Sequence, residues 1–478
     1  MSGGLPKGWV LSSLDELVGK IGLLVDGDWI ESKDQDPNGE IRLFQLADVG
    51  DACFLDKSNR FINEEAFARL HCTRVLPGDI LLARMPHPLG RACILPKFSY
   101  KAITAVDVCI IRPNNKFTDV AWLMYFINSY DFRNKISALS SGTTRKRISR
   151  SNLSKIPLPL PPLNEQKRIV AKLDAIMPRI DAVKERLEKI PSILKRFRQS
   201  VLTAAVTGKL TEKWREEHPE VAEWEEAKLK NICNSISDGD HQAPPKGVEG
   251  IPFLVISNIT DNKINFESVT RFVSKAYFDK LKPIRIPKIN DILYTVTGSI
   301  GNSVIVRDNI DFCFQRHISI IKPNIKLIDV EYLNYYLSTD FAMEQGRACA
   351  TGTAQLTIPL SGLREYEIPL PPLDEQKEIV RQVDKLFTLA DKVEEHYQKA
   401  RARVDALAQS VLAKAFRGEL VPQNPDDEPA EKLLQRIQEE KTKMEAELKT
   451  ASRSARETRK NGAKSQRARS EEKQASEP

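Results

Sequence analysis

A twelve-residue stretch, P-L-P-P-L-N-E-Q-K-x-I-V from Pro159 to Val170, returns as P-L-P-P-L-D-E-Q-K-x-I-V from Pro369 to Val380. The match continues without a gap to Q-S-V-L at Gln199–Leu202 and Gln409–Leu412, at a constant offset of 210 residues (369 − 159). The stretches that separate the copies barely resemble each other. One scaffold element is therefore used twice, to carry two different heads.

Each copy predicts a long helix. Asn164 and Asp374 are good N-cap residues, and Glu165 and Glu375 put a carboxylate in the first turn, where the helix dipole favours it. In the second copy Ile379, Val383, Leu386, Ala390, Val393, Tyr397, Ala400, Val404, Leu407 and Val411 alternate at steps of four and three. The first copy matches with Ile169, Leu173, Ile176, Ile180, Val183, Leu187, Ile190, Leu194, Phe197 and Val201. That spacing is the seam of a left-handed coiled coil, and two such helices in one chain most simply pair antiparallel. Gly208 and Gly418 are the expected stops, giving spacers roughly 65 Å long at ~1.5 Å per residue. Amphipathic packing of each helix on its own domain is the alternative, but the unbroken heptad exceeds what one small domain covers. Pro178 and Pro191 predict a bend in the first helix and a straighter second one.

Residues 1–157 and 211–367 form the heads. Short β-branched and aromatic runs such as Ile41–Leu46, Ala92–Leu95, Val106–Ile111, Phe253–Ile256, Ser303–Val306 and Ile318–Ile321 read as strands. Helical patterns at Asp119–Asn128 and Asp329–Leu337 interrupt them, so each head is an α+β domain. Landmarks recur in order: Trp9 with Trp224, Asp79-Ile-Leu81 with Asp291-Ile-Leu293, Ile111-Arg-Pro113 with Ile321-Lys-Pro323, and Gly142-Thr143 with Gly352-Thr353. The expected architecture is two similar domains joined by the repeated helices over 158–210 and 368–420, followed by a charged, largely disordered tail over 421–478.

Composition narrows the function. With 72 Lys and Arg against 65 Asp and Glu the net charge is +7, which permits a nucleic-acid partner without requiring one. Seven scattered cysteines, with no paired C-x-x-C and His spacing, point to a reduced cytoplasmic protein without a zinc site. No apolar run has the ~18 residues a membrane span needs. Phosphate-loop, dinucleotide-binding, zincin and nucleophile-elbow motifs are all missing, so no enzyme site assembles and no cofactor is expected on this chain.

The binding candidates lie in loops. Arg145, Lys146, Arg147 and Arg150 come after Gly142-Thr-Thr144 and suit phosphates, although a run of like charge serves equally as a solvated face. Arg84, His87 and Arg91 in the first head, and Thr297, Ser299, Asn302, Gln315, Arg316 and His317 in the second, have the donor and acceptor types that read base edges. Each taken singly also fits an ordinary surface loop. Beyond Pro422, Pro425 and Pro429 a charged helical stretch near Ala430–Leu448 is expected, then a disordered segment with Arg453, Arg456, Arg459, Lys460, Lys464, Arg467 and Arg469.

Together the two P-L-P-P-L-[ND]-E-Q-K-x-I-V copies, L-K-R-F-R-Q-S-V-L with G-K-L-T-E-K-W-R (Leu194–Leu202, Gly208–Arg215) and A-Q-S-V-L-A-K-A-F-R-G-E-L (Ala408–Leu420) resemble the specificity subunit of bacterial type I restriction-modification systems. The resemblance covers nearly all of residues 1–420. It implies two target-recognition domains, each binding one half of a bipartite target in double-stranded DNA, with helices that space them and dock two methyltransferase (modification) subunits. It further implies S-adenosylmethionine on those subunits, and ATP and Mg on motor/nuclease restriction subunits, with no catalysis in this chain. A coiled-coil tether whose heads bind two proteins is the competing class. Diverged heads on near-identical supports favour two different half-sites over two copies of one partner.

Overall fold

The computed structural model describes residues 4–18, 21–86, 88–143, 145–239, 244, 247, 249–260, 263–352, 355–447 and 450. It divides into two compact units, Met1–Glu185 with Arg401–Pro478, and Arg186–Ala400. Each unit holds one head and part of both repeated helices. Packing thus cuts across the repeat, because the helix ends are buried in the head cores.

In the first unit Leu23–Asp26, Val108–Arg112, Ile80–Ala83 and Ala92–Ile94 form an antiparallel sheet in that order. A second sheet pairs Ile41–Phe44 antiparallel with Phe61–Ile62 and parallel with Ala102–Thr104. Side chains alternate across a strand. Val108 and Ile110 accordingly pack with Phe44 and Leu81, while Cys109 and Ile111 face Trp122 and Phe126 of the helix Val120–Ile127. Val10–Ser13 pairs with Pro157–Leu160, so the head's two chain ends meet where the central helix begins.

The second unit repeats this order strand for strand. Cys233–Asp238, Ile318–Pro323, Ile292–Thr295 and Ser303–Ile305 form the larger sheet; Phe272–Val273, Ile251–Leu254 and Cys313–Phe314 form the smaller. Glu225–Lys228 closes on Glu367–Leu370, and Val330–Leu337 matches Val120–Ile127. Two α+β heads share one topology.

The repeated Glu-Gln pair explains why the motif recurs. Glu165, Gln166, Glu375 and Gln376 are all buried. Trp9 donates its indole N–H to Glu165 at 3.0 Å, and Trp224 does the same to Glu375 at 2.8 Å. Gln166 accepts the backbone N–H of Asp119 at 2.9 Å and donates to Pro161 O; Gln376 accepts from Asp329 at 2.7 Å and donates to Pro371 O. Asp119 and Asp329 are the N-caps of the head helices, so one glutamine ties helix to helix. Burial pushes the Glu165 carboxyl upward, against the pull of the Trp9 bond and Arg168.

The helices begin at Leu163 and Leu373, one residue before Asn164 and Asp374. Gln166 and Gln376 donate their backbone N–H to Pro162 O and Pro372 O, so the prolines stand at the cap, and Asn164 and Asp374 enter the first turn. Pro178 sits inside the helix Leu163–Glu188. The interruption falls instead at Lys189, ahead of a new helix Ile190–Val206 with proline in its first turn. The second copy is one uninterrupted helix, Leu373–Phe416. It stops in a Schellman arrangement: Gly418 at φ 75° places Glu419 N on Lys414 O at 2.9 Å.

Antiparallel pairing is seen within each unit. In the first, Lys184 lies 3.0 Å from Asp405, while Ile169 and Leu173 share a core with Leu412 and Phe416. In the second, Arg198 donates to Asp391 at 2.6 Å and to Glu394, while Val201 and Val206 share a core with Ile379 and Val383. The strict heptad seam needs correction, however. Ile169, Leu173, Ile180, Leu194, Val201, Ile379, Val383, Ala390 and Tyr397 are buried, whereas Val183, Val393 and Leu407 are 43%, 40% and 52% exposed. An undistorted helix drifts by ~20° per heptad. By its last turns the buried face has moved to Ala408, Leu412, Ala415 and Phe416.

The helical stretch expected near Ala430–Leu448 is present, and it packs on the first head. Residues 430–447 are helical, and Ala430, Leu433 and Ile437 are buried in the first head's core. The expected disordered stretch 451–478 lies outside the described residues, as do His87, Thr144 and Thr353. Among the described residues no helix is long and apolar enough to cross a membrane.

Glu165→Ala strands a buried indole N–H and should destabilise the first unit by about 2–4 kcal/mol, with Glu165→Gln recovering part because it keeps an acceptor. Thermal melting of the three proteins checks this, and equal melting of Ala variant and parent would refute it. Leu194→Asp, at a position 6% exposed, should lower melting sharply, while Val393→Asp should change it little. Comparable losses for both would restore the strict seam.

Candidate nucleic-acid interface

The loop candidates occupy matched positions in the two heads. Ser141 and Arg147 exchange backbone hydrogen bonds of 3.0 and 2.8 Å, and Thr351 and Thr357 exchange two of 2.8 Å. Each pair closes a short loop on a glycine with positive φ, Gly142 at 105° and Gly352 at 99°. An added Cβ there would meet the carbonyl oxygen of Arg145 or Gln355 at 2.5 Å, so the turn demands glycine. The loop then docks on the larger sheet, Ile148 N on Arg84 O at 3.2 Å and Ile358 N on Val296 O at 2.8 Å.

That common frame aligns the side chains. Gly27 N bonds Val108 O and Gly239 N bonds Ile318 O, which sets Asp26 against Asp238, Val106 against Arg316 and Asp107 against His317. The loop sets Arg145 against Gln355 and Arg147 against Thr357, and the docking strand sets Arg84 against Val296. The backbone is shared, and the chemistry differs at each of these places except the aspartate.

In the first head Arg84 is 5% exposed. Its guanidinium pairs with Asp26 and donates to Ile148 O at 3.0 Å. Arg91 is 8% exposed and donates to Val49 O, to Pro88 O at 3.0 Å and to Leu46 O at 2.7 Å. Burial draws its pKa downward. These two arginines brace the head from inside, with their donors directed at protein carbonyls. Arg147 is half-buried and donates to Val106 O at 3.1 Å. Arg145, Lys146 and Arg150 are exposed, the last opening the helix Arg150–Ser154.

In the second head Val296 stands where Arg84 does, and the space is open. A cavity of about 340 Å³ is lined by Asp238, Thr297, Arg316, His317, Gln355 and Thr357 among others. Arg316 is exposed, and His317 is half-buried, its pKa held below the usual value by burial and by Arg316. A neutral imidazole both donates and accepts, as base-edge reading requires. Thr297 is buried and bridged to Thr357. Gln315 is half-buried with its backbone N–H on Leu254 O, while Ser299 and Asn302 lie in the turn organised by the Thr295 hydroxyl. Thus Arg316, His317 and Thr297 come together, and Ser299, Asn302 and Gln315 lie outside the cavity lining.

Asp238 and Gln355 were not among the sequence candidates. Asp238 is legible in the recurrence of Asp-Gly at 26–27 and 238–239, whereas Gln355 lacks the charge that drew attention to the matching loop.

Comparison with known proteins agrees with this duplicated design. The type I restriction modification DNA specificity domain matches residues 6–192 and 222–400. The chain is 38% identical over 328 residues to the type I restriction enzyme EcoBI specificity subunit of Escherichia coli, covering 64% of this chain and 69% of that protein. It is 35% identical over 355 residues to the EcoKI specificity subunit of Escherichia coli strain K12, covering 70% and 74%. The fold resembles a chain from a study of complex assembly and conformational transition of the type I R-M system, with a TM-score of 0.67 at 22% identity over 87% of this chain and 100% of that one. The HsdS subunit from Thermoanaerobacter tengcongensis gives a TM-score of 0.53 at 23% identity over 88% and 99%. With both heads and most of the helices inside the matched segments, the chain belongs to the type I restriction-modification DNA specificity family.

Proposed function

We propose that each head reads one half of a bipartite target in double-stranded DNA, and that the paired helices set the distance between the halves and carry two modification subunits. The carrying observation is the exchange of chemistry on an unchanged frame: Arg145 for Gln355, Asp107 for His317, Arg84 for Val296. Two heads built for one ligand would keep these positions alike. Exposed Arg145, Lys146 and Arg150 suit phosphates, which position a protein on the duplex, while the Arg316, His317 and Gln355 set supplies the donors and acceptors that discriminate bases.

The chain is the non-catalytic, DNA-recognising subunit of a larger complex. In this reading methyl transfer belongs to the modification subunits with S-adenosylmethionine, and cleavage to restriction subunits with ATP and Mg, all in the cytoplasm. Selection from random duplex pools in the presence of the modification subunits tests it, and should return two fixed half-sites separated by an unspecified spacer. A single continuous site, or none, would contradict it.

Replacing residues 10–160 by the matching domain of a relative keeps both strands of the closing pair together. The exchange should alter one half-site and leave the other half-site and the spacer intact; changes in both halves would argue against independent heads. Arg316→Ala and Gln355→Ala should each relax base preference in the second head's half-site alone, by about 1–3 kcal/mol at the contacted pair. Methylation of single-base target variants measures this, and a uniform loss across all positions would assign those side chains to the backbone instead.

A further inference from the structure

Each unit carries a groove at the same place, built with the two copies of the repeated helix exchanged. In the first unit the head helices and the closing strand face the end of the second copy, and the groove encloses about 510 Å³. In the second unit the matching head elements face the end of the first copy, around about 340 Å³. Pairs of lining residues stand 210 positions apart: Phe126 with Tyr336, Pro159 with Pro369, and Val206 with Phe416. Phe126, Tyr336, Val206 and Phe416 are buried and make the floor. At the rim each groove exposes an aromatic ring, Tyr130 in the first turn of the helix Tyr130–Leu139 and Phe341 in the first turn of Asp340–Cys349.

The recognition loops of the two heads differ in chemistry, but these grooves share theirs, so they fit two copies of one partner. That partner is not the duplex. Glu226, Glu344 and Glu367 are exposed around the second groove, and no Lys or Arg is among its described lining residues, so phosphates are repelled there. A second copy of this chain is also a poor match: one of its surfaces seated in each of two grooves is a head-to-tail contact, which extends into an open filament unless its rotation closes. Lys135 and Arg417 line the first groove where glutamates line the second, so a shared occupant is held by apolar contact rather than by ion pairs. An apolar floor beside an exposed ring is the arrangement in which a few aromatic anchors carry most of an interface's free energy. We propose that each groove seats the same apolar segment of a modification subunit, one subunit per unit, with Tyr130 and Phe341 as the anchoring rings. The proposal rests on the reading that the chain carries two such subunits. It places them where head meets helix, rather than on the exposed helix faces at Val183 and Val393.

The test uses the full chain co-purified with its modification subunits and counts them by native mass spectrometry. Tyr130→Glu and Phe341→Glu each put a carboxylate in the first turn of a helix, where the dipole favours it, so both variants should melt like the parent. Each should weaken the binding of one modification subunit about thirtyfold, leaving complexes with a single copy, and the double variant should carry none. A photoreactive phenylalanine at position 130 or 341 should crosslink to the same modification-subunit peptide from both positions, a readout that does not depend on the Glu variants folding. Two retained copies in the double variant would overturn the proposal, as would loss of both copies from either single variant. Crosslinks to DNA, to a second copy of this chain or to two different peptides would overturn it as well. A parent chain that carries no modification subunit would instead remove the reading on which it stands.

Discussion

Everything in either unit hangs from a buried Glu-Gln pair at the start of a repeated helix. The glutamate takes a tryptophan from the segment that opens the head, and the glutamine takes the cap of a head helix. Carboxylate and amide groups excluded from water seek partners, and here the tryptophan indole and the N-cap backbone N–H that they accept lie in the head while the groups themselves lie on the helix. A polar joint of this kind fixes direction as well as distance. In the second unit it is reinforced by Thr211 and Arg215, which both donate to Glu375.

Such a joint frees the rest of the head to change. The larger sheet and the bridged loop are positioned by backbone hydrogen bonds and by glycines, none of which depend on the side chains at Arg145, Asp107 or their counterparts. In the first head Arg84 fills the site and pairs with Asp26. In the second, Asp238 instead meets Arg285 at 3.3 Å, and the cavity opens to Arg316 and His317. One aspartate thus serves two local solutions, with a filled socket in one head and an open one in the other.

The repeat, the heads and most strands were legible because periodicity and turn chemistry are local. What could not be read is what depends on tertiary packing. A loop arginine and a brace arginine look alike in sequence, and Arg84 and Arg91 proved to be braces because both directly flank buried strands, Ile80–Ala83 and Ala92–Ile94. The heptad overstated the seam at Val183, Val393 and Leu407, since pattern alone does not say whether a helix tightens to keep it in register. Conversely, Leu433 and Ile437 lie in a charged stretch, yet their spacing of four puts both on one helix face, and that face is buried.

The identical joint has a combinatorial consequence. Glu165-Gln166 and Glu375-Gln376 receive their heads through the same tryptophan and N-cap bonds, so the part of the attachment that the head itself supplies is alike at both seats, while Thr211 and Arg215 at the second and Asp427 at the first come from outside the heads. Where two seats share a head's own contacts, n heads could combine into on the order of n² ordered pairs rather than n.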